Sequence, residues 1–177
     1  MSNQKIISIA YKRFNASESK EWFVEPTLIK QSNRRWYLIG RIEGCDDFTV
    51  FALDCIQKLD ITDQSYTPEN LKDIKTRLNE VVGVNIDDDF DSETVVVRVY
   101  GKQRAYIDSL PLHFSQRARK TNKDFTDYEL TLRPEYEFQR IILSLGPNAE
   151  ILSPQWLREE IQWLAEGIAK RYIGSIG

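Results

Sequence analysis

At 177 residues, 41% of them hydrophobic and 29% charged, the chain is long enough for one ordinary domain or two small ones. The net charge of −3 gives no global sign of a nucleic-acid partner, and no apolar run is long enough to span a bilayer. The N-terminal MSNQKIISIA lacks the basic-then-apolar layout of a signal peptide, which points to the cytoplasm.

From residue 5 to 62 the sequence reads as five short strands. KIISIAYKRF alternates, with Ile7, Ile9, Tyr11 and Arg13 on one face. KEWFVEPTLIKQ follows, bent or ended near Pro26, because proline cannot donate to a central ladder. SNRRWYLIGRIEG, DFTVFALDCI and QKLDIT complete the set, separated by Gly, Asn and Asp clusters. Five strands in so short a span suggest a small barrel, since closure removes exposed edges. Residues 63–93 change character. PENLKDIKTRLNEVVG has Leu71, Ile74 and Leu78 at helical spacing, and the acidic NIDDDFDSE after it reads as a linker between two domains.

Residues 94–177 predict a second domain. TVVVRVY is a buried strand and KQRAYIDSL a short helix. LHFSQRARK and DFTDYELTLR are polar-rich strands joined by a hairpin, PEYEFQRIILSLG is a helix with Gly146 at its end, and AEILSP is a strand. The last helix starts at Ser153-Pro154 and shows a face of Leu157, Ile161, Leu164, Ile168 and Tyr172. The order βαββαβα gives an α/β sandwich, so the whole chain is of the α+β class.

Charge is unevenly distributed. Residues 1–42 hold eight Lys and Arg against three acids, residues 63–93 three against nine, and HFSQRARKTNK four against none. Two basic islands thus flank an acidic middle, and a local patch can capture an anion on an acidic chain. One histidine and two cysteines, Cys45 and Cys55, outside any CxxC pair, argue against a zinc site. A disulfide between the cysteines stays open, with a reducing cytosol against it. No Gly-rich phosphate loop, Rossmann fingerprint or nucleophile elbow occurs, so neither an enzyme nor a cofactor is expected. DDDFDSE lacks the glycine and terminal glutamate of a calcium loop.

The segment FVEPTLIKQSNRRWYLIGRI, followed by FALDCI, resembles the WYL domain, through the triplet Trp36-Tyr37-Leu38, the upstream Pro26 with Leu28-Ile29, and the strand Phe51–Ile56. SLPLHFSQ, LRPEYEFQRIILSLG and ILSPQWLREEI resemble the C-terminal extension that often follows such a domain. The resemblance implies a Sm-like or SH3-like β-barrel in a ligand-sensing module of a transcriptional regulator, with single-stranded nucleic acid as the best-supported ligand. It implies an extension that contributes to dimerisation and to relaying the signal. Family members usually carry an N-terminal winged helix-turn-helix. This chain begins almost at the first barrel strand, so DNA would be reached through a reader missing from it. Thr49 and Cys55 stand where the family usually has arginines, and Thr27 where an aromatic or histidine is common, while Tyr11 matches.

Alternation along RRWYLIGR puts Trp36 and Leu38 on the interior face with Arg34, and turns Arg35, Tyr37 and Arg41 outward. Guanidiniums either side of an aromatic ring can hold phosphates and stack a base, although exposed arginines are more commonly plain surface. Tyr11, with Lys12 and Arg13 beside it, joins this candidate set, as does Lys30 on weaker grounds. On LHFSQRARK, alternation lines up His113, Ser115, Arg117 and Arg119 as a phosphate-facing strip, with a solvated strand face as the plain alternative. The expectation is a cytoplasmic homodimer whose Tyr11, Arg13, Lys30, Arg35, Tyr37, Arg41, His113 and Arg117 bind a nucleotide-like anion or single strand. The alternative is a dimerisation or structural module that has lost its ligand.

Overall fold

Alternating apolar residues in the first third of the chain build one antiparallel sheet. The structure is a computed structural model that describes residues 4–68, 71–85 and 90–173. Strands β1 (Lys5–Tyr11), β2 (Lys20–Ser32), β3 (Arg35–Ile42), β4 (Phe48–Ala52) and β5 (Ile56–Ser65) lie in the order β4-β3-β2-β1-β5. Ile9, Val24, Leu38 and Phe51 form its core, with Ile7, Tyr11 and Trp22 packed against them. Those residues all fall on the alternate face that period-2 patterning assigns to the interior.

β2 is one strand of 13 residues that runs straight through Pro26. The register to β3 shifts between Pro26 and Leu28, and such an irregularity is where a residue without an N–H fits a ladder. Opposite Pro26 lies Gly40, where an added Cβ would meet the Glu25 carbonyl oxygen at 2.5 Å, so only glycine fits. A two-residue turn, Asn33-Arg34, joins β2 to β3 with φ of 48° and 65°. Positive φ at both positions matches the twist of the flanking strands.

The small closed barrel expected here is not seen. The sheet ends on β4 and β5, and a 3-10 turn, Leu53–Cys55, carries the chain between them without a ladder. The fold class in the plain sense is mixed α and β, with two antiparallel sheets and four α-helices among the described residues.

Helix α1 (Leu71–Asn79) follows, and residues 86–89 of the acidic linker lie outside the described residues. The second sheet has the order β7-β8-β6-β9, from β6 (Glu93–Tyr100), β7 (Arg117–Thr121), β8 (Phe125–Leu132) and β9 (Ala149–Ser153). Helices α2 (Gln103–Ser109), α3 (Tyr136–Ser144) and α4 (Gln155–Ile173) alternate with the strands in the expected βαββαβα sequence. Val95, Val97 and Val99 of β6 face Tyr128, Leu130 and Leu132 of β8 in one core with Ile107, Phe138, Ile142 and Leu157 of the helices. All three helices therefore cover the same sheet face, and the other face is mixed, with Val96 and Phe125 beside Arg98, Asp127 and Glu129. At α3 the Glu135 carboxylate accepts from the Glu137 N–H at 2.8 Å and caps the first turn.

The described residues divide into two units: one up to Leu78 with Gly83–Asn85, the other Asn79–Val82 with the residues from Phe90 on.

Two details depart from the sequence reading. The strand expected over 112–120 begins only at Arg117, because Leu112–Gln116 form a turn closed by the Gln116 N–H on the His113 carbonyl at 3.0 Å. Trp36 shares the core face with Leu38 but lies near the hairpin tip, beyond the packed core, and is 51% exposed.

Candidate functional site

Tyr11 ends β1, opposite Lys20 at the start of β2, and Ile9 pairs with Trp22. That register puts Tyr11 and Trp22 side by side on the interior face. β4 brings Phe51 up to Tyr11, the rings meeting edge to face at 5.2 Å and 85°. Between β1 and β2 the chain makes a tight turn in which the Ala16 N–H donates to the Arg13 carbonyl at 3.0 Å. The result is a cavity of about 580 Å³ at one end of the sheet, lined by Tyr11, Arg13, Lys20, Trp22, Thr49 and Phe51 among others. It has aromatic walls and two cations, Arg13 and Lys20, on exposed rim positions, with Glu18 as the acid beside them. Pockets of this size with a few convergent polar groups suit a small organic ligand.

The Tyr11 hydroxyl accepts from the Ala52 N–H at 3.3 Å. Burial raises its pKa above the usual phenol value, and the Ala52 N–H offsets this in part. The Cys55 thiol beside it raises the pKa further, so the hydroxyl is held between Ala52 and Cys55 and the ring, not the O–H, is what Tyr11 offers the cavity.

Of the residues singled out from sequence, the cavity unites Tyr11 and Arg13. The others lie elsewhere. Lys30 donates to the carbonyls of Gly83 at 2.7 Å and Leu78 at 3.4 Å, which ties the end of α1 to β2. Arg35 pairs with Asp54 at 3.0 Å and stacks on Phe14, with Cζ 4.8 Å from the ring centre. Arg41 stacks on its cross-strand neighbour Phe48 at 4.6 Å. Tyr37 is half-buried between Lys30 and Ala52 of the flanking strands. Trp22 and Lys20 join the wall without having been singled out. Their signal was the alternation Lys20, Trp22, Val24, but only the pairing with β1 shows that it matters.

The second basic island does not form the expected strip. His113 is buried, its Nε2 donates to the Asn79 carbonyl at 2.6 Å, and its Nδ1 lies 2.7 Å from Ser115 Oγ. Both ring nitrogens are engaged, so the ring holds the turn in place rather than facing a phosphate. Arg117 and Arg119 are exposed on β7, with Arg119 3.6 Å from Glu129.

The uncovered sheet face of this unit carries a better-defined ion pair. Arg98 donates to both oxygens of Asp127, at 2.7 and 3.0 Å, and its Cζ lies 3.8 Å from the Phe125 ring centre. The Arg98 hydrogen bonds hold the Asp127 carboxyl below the usual aspartate range, against the opposing effect of burial. A carboxylate with a depressed folded pKa stabilises fully above its unfolded value, about pH 4, and that stabilisation is lost as pH falls through the folded value. Asp127→Asn is therefore expected to flatten the acid limb of a Tm-against-pH curve below about pH 4. An acid limb identical to that of the parent protein would show that the pair contributes nothing to it.

Among the described residues no group of His, Cys, Asp and Glu could hold a metal ion, and no helix is long and apolar enough to cross a membrane. Both cysteines are free.

An open antiparallel sheet with an end cavity, followed by a four-stranded βαββαβα unit, defines a two-part mixed α and β protein. Residues 1–61 match the WYL domain and residues 91–169 the WCX domain, and the chain belongs to the WYL-domain family, with a WCX extension. A structure described as a CRISPR Cas-related protein is similar in fold at TM-score 0.53 and 17% identity, over 98% of this chain and 49% of that one. Proteasome accessory factor B/C (PafBC) of Arthrobacter aurescens matches at TM-score 0.39 and 17% identity, over 89% of this chain and 24% of that one. The chain thus spans at most about half the length of these two proteins. No curated protein matches the sequence.

Proposed function

We propose that the first unit is the ligand-sensing part of a cytoplasmic transcriptional regulator and that its ligand is a nucleotide-like anion or short single-stranded nucleic acid bound in the Tyr11 cavity. The observation that carries this is the pairing of aromatic walls, Tyr11 and Trp22, with the rim cations Arg13 and Lys20. Aromatic faces stack bases and cations neutralise phosphate, a combination that binds single strands with little sequence preference. On this reading the role is regulatory rather than enzymatic. The strand order with a 3-10 turn before β5 supports a Sm-like relation for the sheet. Binding would bias a homodimer and be relayed to a DNA-binding region.

The test is fluorescence anisotropy of the full chain with short single-stranded DNA, single-stranded RNA and duplex, at two salt concentrations. Saturable single-strand binding that weakens with salt is expected. Absence of binding at low salt would remove this reading.

One observation favours a second reading, a dimerisation or structural module without a ligand. Thr49 lines the cavity where an arginine is usual in the family, and Cys55 is buried, so neither supplies a cation. That reading predicts a stable dimer with no thermal shift from any nucleic acid.

A further inference from the structure

The Arg13–Ala16 turn that walls the cavity also presents something outside it. Arg13, Asn15 and Ala16 line the cavity, but Phe14 between them does not, and its ring is 71% exposed. A lone exposed aromatic means little by itself. This one is organised. The Arg35 guanidinium lies over the ring at 4.8 Å and is held there by Asp54 at 3.0 Å. The pair is a preformed stack of an aromatic ring and a planar cation, the two surfaces on which a nucleobase stacks well.

Beyond Arg35 the hairpin tip continues the surface. Arg34, Arg35, Trp36 and Asp54 line a shallow hollow of about 440 Å³, and Trp36 is itself half exposed. The cations from cavity to hairpin, Lys20, Arg13, Arg35 and Arg34, outnumber the acids Glu18 and Asp54. The charge along this strip therefore suits a ligand with more than one phosphate.

We propose that Phe14 and Arg35 form a second subsite that stacks a base of a single-stranded oligonucleotide while a neighbouring nucleotide occupies the cavity. This rests on the cavity reading above and deepens it: the ligand is a chain of at least two nucleotides, and a mononucleotide fills only half of the site. Because every base has a stacking face, the subsite selects for strand length and single-strandedness, not for sequence.

The experiment compares thymidine monophosphate with a thymidine tetranucleotide on the full chain, by calorimetry and anisotropy. Phe14→Ala, at an exposed turn position, is expected to lower tetranucleotide affinity about tenfold and leave monophosphate affinity unchanged. Phe14→Trp should restore the tetranucleotide affinity, since it keeps a stacking face. An equal loss for both ligands, or no loss for the tetranucleotide, overturns the subsite. If Arg13→Ala weakens the monophosphate while Phe14→Ala changes nothing, the subsite falls and the cavity reading stands. If the parent chain binds neither ligand, the cavity reading falls and takes the subsite with it.

Discussion

Arg13→Ala should weaken binding of a nucleotide or short single strand by about tenfold or more, and reduce the slope of log K against log salt by about one. A charge-assisted hydrogen bond contributes roughly 1.5–3 kcal/mol, and each phosphate-binding cation adds close to one to the salt slope. The residue is exposed at the cavity rim, so its loss leaves no hole in the core of Ile9, Val24, Leu38 and Phe51. Two comparisons separate this from a loss of folding. Arg41 stacks on Phe48 outside the cavity wall, and Lys30 is spent on the carbonyls of Leu78 and Gly83. Alanine at either position is expected to leave the salt slope unchanged, and Lys30→Ala to lower the unfolding midpoint instead. Anisotropy titrations at several salt concentrations read all three. Parent-like affinity and slope for Arg13→Ala would mean that the phosphate is held elsewhere.

Leu157→Ala is expected to destabilise the second unit by about 2–5 kcal/mol, the range for emptying a buried leucine site. Typical domains have about 5–15 kcal/mol in all, so this is a large share. The site is unusual in its leverage. α4 is 19 residues long, and Leu157 is its one fully buried residue among those described. Ile161 packs against the same core only in part, while Ile168 and Tyr172 on the same face are exposed. Among the polar ties that would remain are Trp156 Nε1 to Glu93 at 3.0 Å and Arg158 to Glu150 at 2.9 Å, both near the surface and weak, with Arg158 also donating to the Ile151 carbonyl. Denaturant unfolding gives the free energy, and hydrogen exchange along α4 should lose protection together with it. A cost below about 1 kcal/mol would be smaller than any leucine cavity and would mean that something else holds the helix.

The local code of this chain was legible wherever one period dominated. Val95, Val97 and Val99 announced β6, and Pro134 and Gly146 bracketed α3, because these signals act within a few residues; Arg34, placed on the strand by alternation, instead sits in the turn before β3 with φ of 65°. The triplet Trp36-Tyr37-Leu38 with the later LPLHFSQ segment was enough to point to the WYL family with its extension. Other features needed the folded chain. His113 looked like a strand residue facing a phosphate, yet its ring is satisfied by Ser115 and by the Asn79 carbonyl 34 residues away. Lys30 and Arg35 looked available, yet their partners are the carbonyls of Leu78 and Gly83 and the carboxylate of Asp54. Trp36 pointed to the core side but ran past the packed core. The cavity itself requires β1 in register with β2 and β4 in register with β3, so that Tyr11, Trp22 and Thr49 converge. The sequence alone determined most of the strands and the helices, because propensity and period are local, and its motifs pointed to the family by resemblance. Only the tertiary structure decided which cations line the cavity, because a charged side chain takes its place from the non-local partner it meets.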